Sequence, residues 1–217
     1  MKPVLILGNK NYSSWSLRAW LALRKAGIEF DEFRIPLFTP EGERLLAEET
    51  PAGLVPVLVD GEITVWDSLA IAEYAAEKEP ALWPESRAAR ATARAVAAEM
   101  HAGFAALRRT LPMNCRARGR RVAYGADVDA DIRRVEQVWC DCRTRYGRDG
   151  PWLFGRFSIA DAMYAPVASR FATYGIEGPQ VVRDYVGTVL IDPDVGQWYL
   201  EAAEEPEVIE EEEVGHP

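Results

Sequence analysis

Ser13, Ser14 and Ser16 crowd the stretch Gly8–Trp20, which reads GNKNYSSWSLRAW. A short apolar run, Val4-Leu5-Ile6-Leu7, passes here through a polar loop into an amphipathic helix. A helix start offers unpaired N–H groups and the positive end of the dipole, so hydroxyls at such a junction favour an anionic ligand. Two other stretches carry chemistry of a related kind. In TPAGLVPVL, Val55 directly precedes Pro56 and a strand follows at once, a position where the missing proline N–H need not break a ladder. A trans bond merely punctuating the loop is the ordinary reading; a cis bond would turn the Val55 N–H and C=O outward to a ligand backbone. In Trp66-Asp67-Ser68-Leu69-Ala70-Ile71, a strand runs straight into a helix. Asp67 and Ser68 there are either plain capping residues or a site for a carboxylate and an ammonium together, the two charges of an α-amino acid head group.

The elements that would position these residues follow from local pattern. Val4–Leu7 reads as a buried strand. The segment 15–26 reads as a helix, with Leu17, Trp20 and Leu21 on one face and Gly27 at the C-terminal cap. A second strand is expected over 29–35, ended by Pro36, and a short helix over 41–48. Two apolar runs, 57–59 and 63–65, flank Asp60-Gly61 and predict a hairpin, and a helix over 68–78 follows. The order βαβαββα describes a thioredoxin-like α/β sheet. From Pro84 the strand signals stop. Ala93, Val96, Ala97, Met100, Phe104, Leu107 and Leu111 keep a helical period and predict one long helix; Val128, Ile132, Val135, Trp139, Cys142 and Tyr146 predict a second, ending at Gly147. Ser158 and Asp161 form a capping-box-like start to a third, in which Pro166 predicts a kink, and short helices are expected over 180–190 and 195–203. The expectation is an α/β domain over 1–80, an all-helical domain over 84–203 and an acidic tail over 204–217.

Composition narrows the class. Of 217 residues 48% are hydrophobic and 27% charged, ordinary for a globular protein. The net charge of −9 is mostly local: residues 201–217 hold eight glutamates and neither Lys nor Arg, which leaves about −1 for the rest. That segment reads as a solvated, partly disordered end or an interaction tail. No apolar run approaches the roughly 20 residues of a bilayer span and no signal-peptide core opens the chain, so no membrane association is expected. Cys115, Cys140 and Cys142 lack metal-ligand spacing and read as free thiols in a reducing cytoplasm, with no metal. The basic cluster RARGRR over 116–121 lacks an aromatic-rich partner motif and sits in a negative overall field, so no nucleic-acid role is expected.

In this order and spacing, the serine loop, PAGLVP, WDSLAIAEY and FSIADAMYAP resemble the glutathione S-transferase family over nearly the whole chain. The serine loop is most similar to the zeta and theta classes, SSWSLRAWLAL paralleling the zeta pattern SSCSWRVRIAL without a gap. The resemblance implies glutathione as co-substrate. It places Ser13 on the hydroxyl that contacts the sulfur, Ser14 beside it, and Arg18 on the family arginine. It also implies a cis Val55–Pro56 bond with Val55 pairing with the cysteinyl backbone, Asp67 and Ser68 on the γ-glutamyl head, and a homodimer. Tyr12 is a third candidate for the sulfur, since other classes use tyrosine, although theirs lies nearer the end of the first strand. Trp15 stands at the zeta cysteine position, which speaks against maleylacetoacetate isomerisation, and the loop holds no cysteine for disulfide exchange. The physics suits the assignment. A free thiol has a pKa near ~8.5, and lowering it by two units needs about 2.7 kcal/mol, within reach of one charge-assisted hydrogen bond plus the dipole.

For the second substrate, His101, Phe104 and Arg108 lie at i, i+3 and i+7 beside the core stripe, with Met113 and Asn114 beyond and Tyr12, Trp15 and Phe38 on the opposite wall. Such a lining suits an apolar, aromatic electrophile. Arg116 and its neighbours are expected in a solvated loop. Three outcomes remain open at this point: a transferase, a glutathione-dependent isomerase, and a transferase-fold binding protein without turnover.

Overall fold

In the computed structural model, which describes residues 2–216, β1 (Val4–Leu7) is an inner strand of a four-stranded sheet of order β2-β1-β3-β4. It pairs in parallel with β2 (Asp31–Arg34) and antiparallel with β3 (Val57–Asp60), which pairs antiparallel with β4 (Ile63–Trp66). Leu5 and Leu7 point into the main core, while Ile6 packs with Ile35 and Val57 on the other face. A strand buried on both sides needs an unbroken apolar run, which is why VLIL shows no alternation. Helices α1 (Ser14–Lys25) and α3 (Ser68–Lys78) pack against each other over the main core. On the opposite face, the partly buried Leu45 and Leu46 of α2 (Pro40–Glu49) join the smaller cluster. The Val55–Pro56 bond is cis, and Gly61 takes the positive φ of the hairpin turn.

The remainder is helical: α4 (Arg87–Ala102), α5 (Ala105–Thr110), α6 (Ala126–Tyr146), α7 (Ile159–Tyr174), α8 (Gln180–Leu190) and α9 (Pro193–Glu204). Helix α7 is buried on nearly every side and packs against α1, α4 and α8, so one continuous core runs from the sheet into the bundle. Asp161 secures its start. Its buried carboxylate accepts hydrogen bonds from the Ser158 N–H and hydroxyl, the Leu153 N–H and the Tyr185 hydroxyl. The helix continues through Pro166.

Two expectations fail. The single long helix after Pro84 is two, broken at Gly103 and Phe104, the latter in a left-handed conformation (φ 58°) that phenylalanine rarely adopts. The Phe104 ring is buried and meets Tyr164 edge-on at 6.4 Å, and the Leu107 N–H is taken by the Asp131 carboxylate of α6 at 3.0 Å. Tertiary contacts thus override a periodicity that runs unbroken in sequence. The acidic segment after α9 is also not a solvated tail: it folds back over the serine loop.

Candidate active site

The serine loop is clamped before it reaches the helix. The Lys10 and Asn11 N–H groups donate to the Glu205 carboxylate at 2.7 and 3.0 Å, and the indole of Trp198 donates to the Lys10 carbonyl at 2.8 Å. The Lys10 ammonium is buried, paired with Glu32 and Glu201, and sits over the rings of Trp20 and Trp198. The Asn11 amide donates to Asn114, and its oxygen accepts from the Arg116 N–H. Gly8 starts the loop in close contact with Leu37: a Cβ there would lie 2.5 Å from Leu37 Cδ1, so a larger residue would need the Leu37 side chain to move.

Ser13 caps α1. Its Oγ accepts from the Ser16 N–H at 3.4 Å and lies 2.8 Å from Ser16 Oγ, which in turn accepts from the Gly8 N–H at 3.1 Å. Ser14 opens the first turn, and among the described residues its Oγ has a single neighbour within bonding range, the Arg170 guanidinium at 3.5 Å. Both serines face a cleft of about 650 Å³ whose other walls include Tyr12, Trp15, Leu37, Phe38, Leu46, Leu54, Val55, Arg108, Arg109 and Arg170. Val55 carries no hydrogen bond among the described residues, so its backbone N–H and C=O are both available. Phe38 is exposed at the mouth, again with a positive φ of 58°.

At the start of α3, Asp67 has a φ of 77° and caps the helix through bonds from the Leu69 and Ala70 N–H groups. Its second oxygen lies 3.3 Å from His101 Nε2. The Ser68 hydroxyl is buried and has no hydrogen-bond partner among the described residues. His101 meets the Trp15 ring edge-on at 5.2 Å, so it links α4, the Asp67 corner and the cleft wall.

Arg18 is fully buried, and none of its three guanidinium nitrogens has a hydrogen-bond partner among the described residues. It stacks on Trp15 at 4.4 Å, with Arg108 at 5.3 Å from the same ring. Burial, reinforced by Arg170 and Arg108, pulls its pKa down to about 9, which still leaves it charged at neutral pH. Arg170 is buried too and is brought to about 10, chiefly by desolvation. Its guanidinium donates to the Leu111 and Pro166 carbonyls at 2.7 and 3.1 Å.

Several expected site residues stand elsewhere. Phe104 and Met113 are core residues, and neither they nor His101 line the cleft; Pro56 is buried. Asn114 is buried as well, bonded to Asn11 and to Glu213. The Tyr12 ring lines the cleft, but its hydroxyl is engaged, donating to Glu213 at 2.7 Å and accepting from Arg116 at 2.8 Å and the Ile209 N–H at 3.3 Å. Arg116 is not in a solvated loop: it also donates to the Glu205 and Glu207 carbonyls at 2.7 and 2.8 Å and pins the acidic segment. Arg109, Arg170, Glu43 and Glu212 line the cleft without having been expected there. Arg170 had a legible signal, a lone arginine inside the apolar run IADAMYAPVASRF; Glu212 had none.

Residues 12–78 match the family model for the glutathione S-transferase N-terminal domain. Over this third of the chain the sequence is similar to that of glutathione S-transferases. Among curated transferase relatives, a probable maleylacetoacetate isomerase of Caenorhabditis elegans is 36% identical over 106 residues, 48% of each chain. A zeta-class glutathione S-transferase of Euphorbia esula is 39% identical over 84 residues, 36% of each chain. The alignments thus span about half or less of these relatives' lengths. The transferase fold extends over nearly the whole chain. A glutathione transferase homolog from Burkholderia, solved with bound glutathione, superposes with a TM-score of 0.73 over 94% of this chain and 100% of that one, at 23% identity. The theta-class enzyme of Xanthomonas axonopodis pv. citri gives 0.63 over 92% and 97%, at 22% identity.

Proposed function

We propose that the protein is a glutathione transferase in which a serine hydroxyl stabilises the glutathione thiolate for attack on an electrophilic carbon. The observation that carries this reading is convergence: the serine loop at the start of α1 and the free backbone of Val55 open on one cleft of about 650 Å³. The residues suit the tripeptide. Val55 offers an N–H and a C=O to the cysteinyl backbone, while the buried Ser68 hydroxyl without a partner and the Asp67 carboxylate suit the γ-glutamyl head group. On this reading residues 1–80 bind glutathione and 84–203 supply the second-substrate wall.

Ser13 is the proposed sulfur partner, with Ser14 beside it. The Ser13 proton turns to the sulfur, and Ser16, 2.8 Å away, then donates its own to Ser13 Oγ while still accepting from the Gly8 N–H. Each bond in that row polarises the next. The thiol proton leaves to water, the sulfur lone pair forms the new S–C bond, and the leaving group departs with its bonding pair. Trp15, Leu37, Phe38 and Leu54 favour an aromatic electrophile. Trp15 places an indole where the zeta pattern has cysteine, so conjugation is the better fit than isomerisation. A homodimer is also proposed, because Ile63 and Trp66 on the edge strand β4 are 49% and 52% exposed.

The test is turnover of a panel of aryl and alkyl halides, enones and cis-enediones with and without glutathione. Glutathione-dependent conjugation is expected. Isomerisation alone would move the function to the alternative, and glutathione binding without either reaction would leave a binding protein.

A further inference from the structure

The acidic segment is a strap that turns one unpaired carboxylate, Glu212, into the cleft wall. Glu205 takes the Lys10 and Asn11 N–H groups, Glu207 pairs with Arg34 at 2.8 Å, and Ile209 is buried. Glu213 accepts from Tyr12, Asn114 and Arg120 at 2.7, 2.8 and 2.7 Å. Backbone bonds between Arg121 and His216 close the far end. Among these carboxylates Glu212 stands apart. It is half-buried in the cleft wall with Arg108, Arg109 and Arg170, yet it makes no ion pair within 4.0 Å and accepts no hydrogen bond among the described residues. Against the Trp15 ring, the guanidinium of Arg18, without a hydrogen-bond partner among the described residues, adds to the same positive region. Against these cations the cleft sets only Glu212 and the exposed Glu43.

We propose that Arg108 and Arg170 form an anion subsite in the cleft and that Glu212, on the strap, is the opposing charge that sets the charge preference of the second substrate: an electrophile bearing a carboxylate binds there against the charge of Glu212. The arrangement has the properties that such tuning needs. The strap is held by Glu205, Glu207 and Glu213, so its fold does not depend on Glu212. Arg170 is fixed by two carbonyls and stays charged, and half-buried Arg108 can approach a ligand from the helical wall. Burial raises the Glu212 pKa while Arg170 opposes that shift, as expected of two charges that face one another without a tight bond.

This rests on the transferase reading, and the experiment separates the two. The probes are 4-chloro-3,5-dinitrobenzoate and its primary amide, which share the reacting carbon and leaving group and differ in charge. At saturating glutathione, Glu212→Gln should lower KM for the carboxylate about fivefold, a change typical of one partly exposed charge. KM for the amide and kcat for both should stay within about twofold, and Arg108→Gln should raise KM for the carboxylate alone. Calorimetric titration of the same probes without glutathione reads the subsite even if nothing turns over, with Glu212→Gln expected to bind the carboxylate more tightly. Absent turnover with that binding pattern would overturn the transferase reading and leave the subsite standing. An unchanged carboxylate-to-amide ratio in Glu212→Gln, by either readout and with an unchanged melting temperature, would overturn the subsite.

Discussion

Replacing Ser13 and Ser14 one at a time by alanine separates two tasks that the same hydroxyls perform. On the proposed mechanism Ser13 donates a charge-assisted hydrogen bond to the thiolate, worth about 1.5–3 kcal/mol. At 1.36 kcal/mol per unit, Ser13→Ala should raise the pKa of bound glutathione by about 1–2 units. Ser13 is also the N-cap of α1, so the same change should cost about 1 kcal/mol of stability and roughly 2–4 °C in Tm. Ser14 sits inside the first turn, makes no cap, and has only a 3.5 Å contact with Arg170; Ser14→Ala should move the thiol pKa by less than half as much and leave Tm within about a degree. Ser16→Ala tests the relay: it removes the group that receives the Gly8 N–H and braces Ser13, and should raise the pKa by an intermediate amount. The assay is thiolate absorbance in the ultraviolet, titrated against pH for each enzyme–glutathione complex, with a thermal melt alongside. A larger shift for Ser14→Ala would assign the sulfur to Ser14, and no shift for either would refute hydroxyl stabilisation.

Burial pushes the Cys115 and Cys142 thiols up to about 12, so in the folded protein an aromatic disulfide reagent at pH 8 should titrate Cys140 alone; all three should react in denaturant, and fast reaction of a second native thiol would contradict the packing. Asp161→Ala strands four buried donors and should cost about 3–5 kcal/mol, lowering Tm by about 10 °C, whereas a loss under 1 kcal/mol would mean that water replaces the carboxylate. Arg116→Ala frees two strap carbonyls and the Tyr12 hydroxyl, and limited proteolysis should then cut within 205–216 several-fold faster with the rest of the chain intact; an unchanged rate would show the strap held without it. Trp66→Glu should convert a dimer to monomer by light scattering, and a monomeric parent protein would remove the basis for that interface.

Much of the chain was legible because its signals are local. Strand β1, helices α1 and α3, the Asp60-Gly61 hairpin, and the pairing of Ser158 with Asp161 depend on residues within a few positions of one another, and each forms as spaced. The serine loop, Val55–Pro56 and Asp67–Ser68 were likewise visible as motifs, since each is a short segment whose backbone shape is encoded where it lies. The sequence also marked Arg170, a single cation in an apolar helix, though not what it would face.

What the sequence determined by itself, then, was most of the elements and which hydroxyls stand at the start of α1. The tertiary structure alone decided their surroundings. The Glu205 carboxylate meets N–H groups of Lys10 and Asn11 from almost two hundred positions away, and a run of glutamates carries no mark of which one will find such donors. The break at Phe104 arises in the same way, from Tyr164 and Asp131 on other helices outweighing a helical period that the local chain obeys. Spacing along the chain fixes short-range hydrogen bonds and faces; the balance of desolvation and charge within the cleft, which Glu212 and Arg170 both line, exists only once distant segments are packed together.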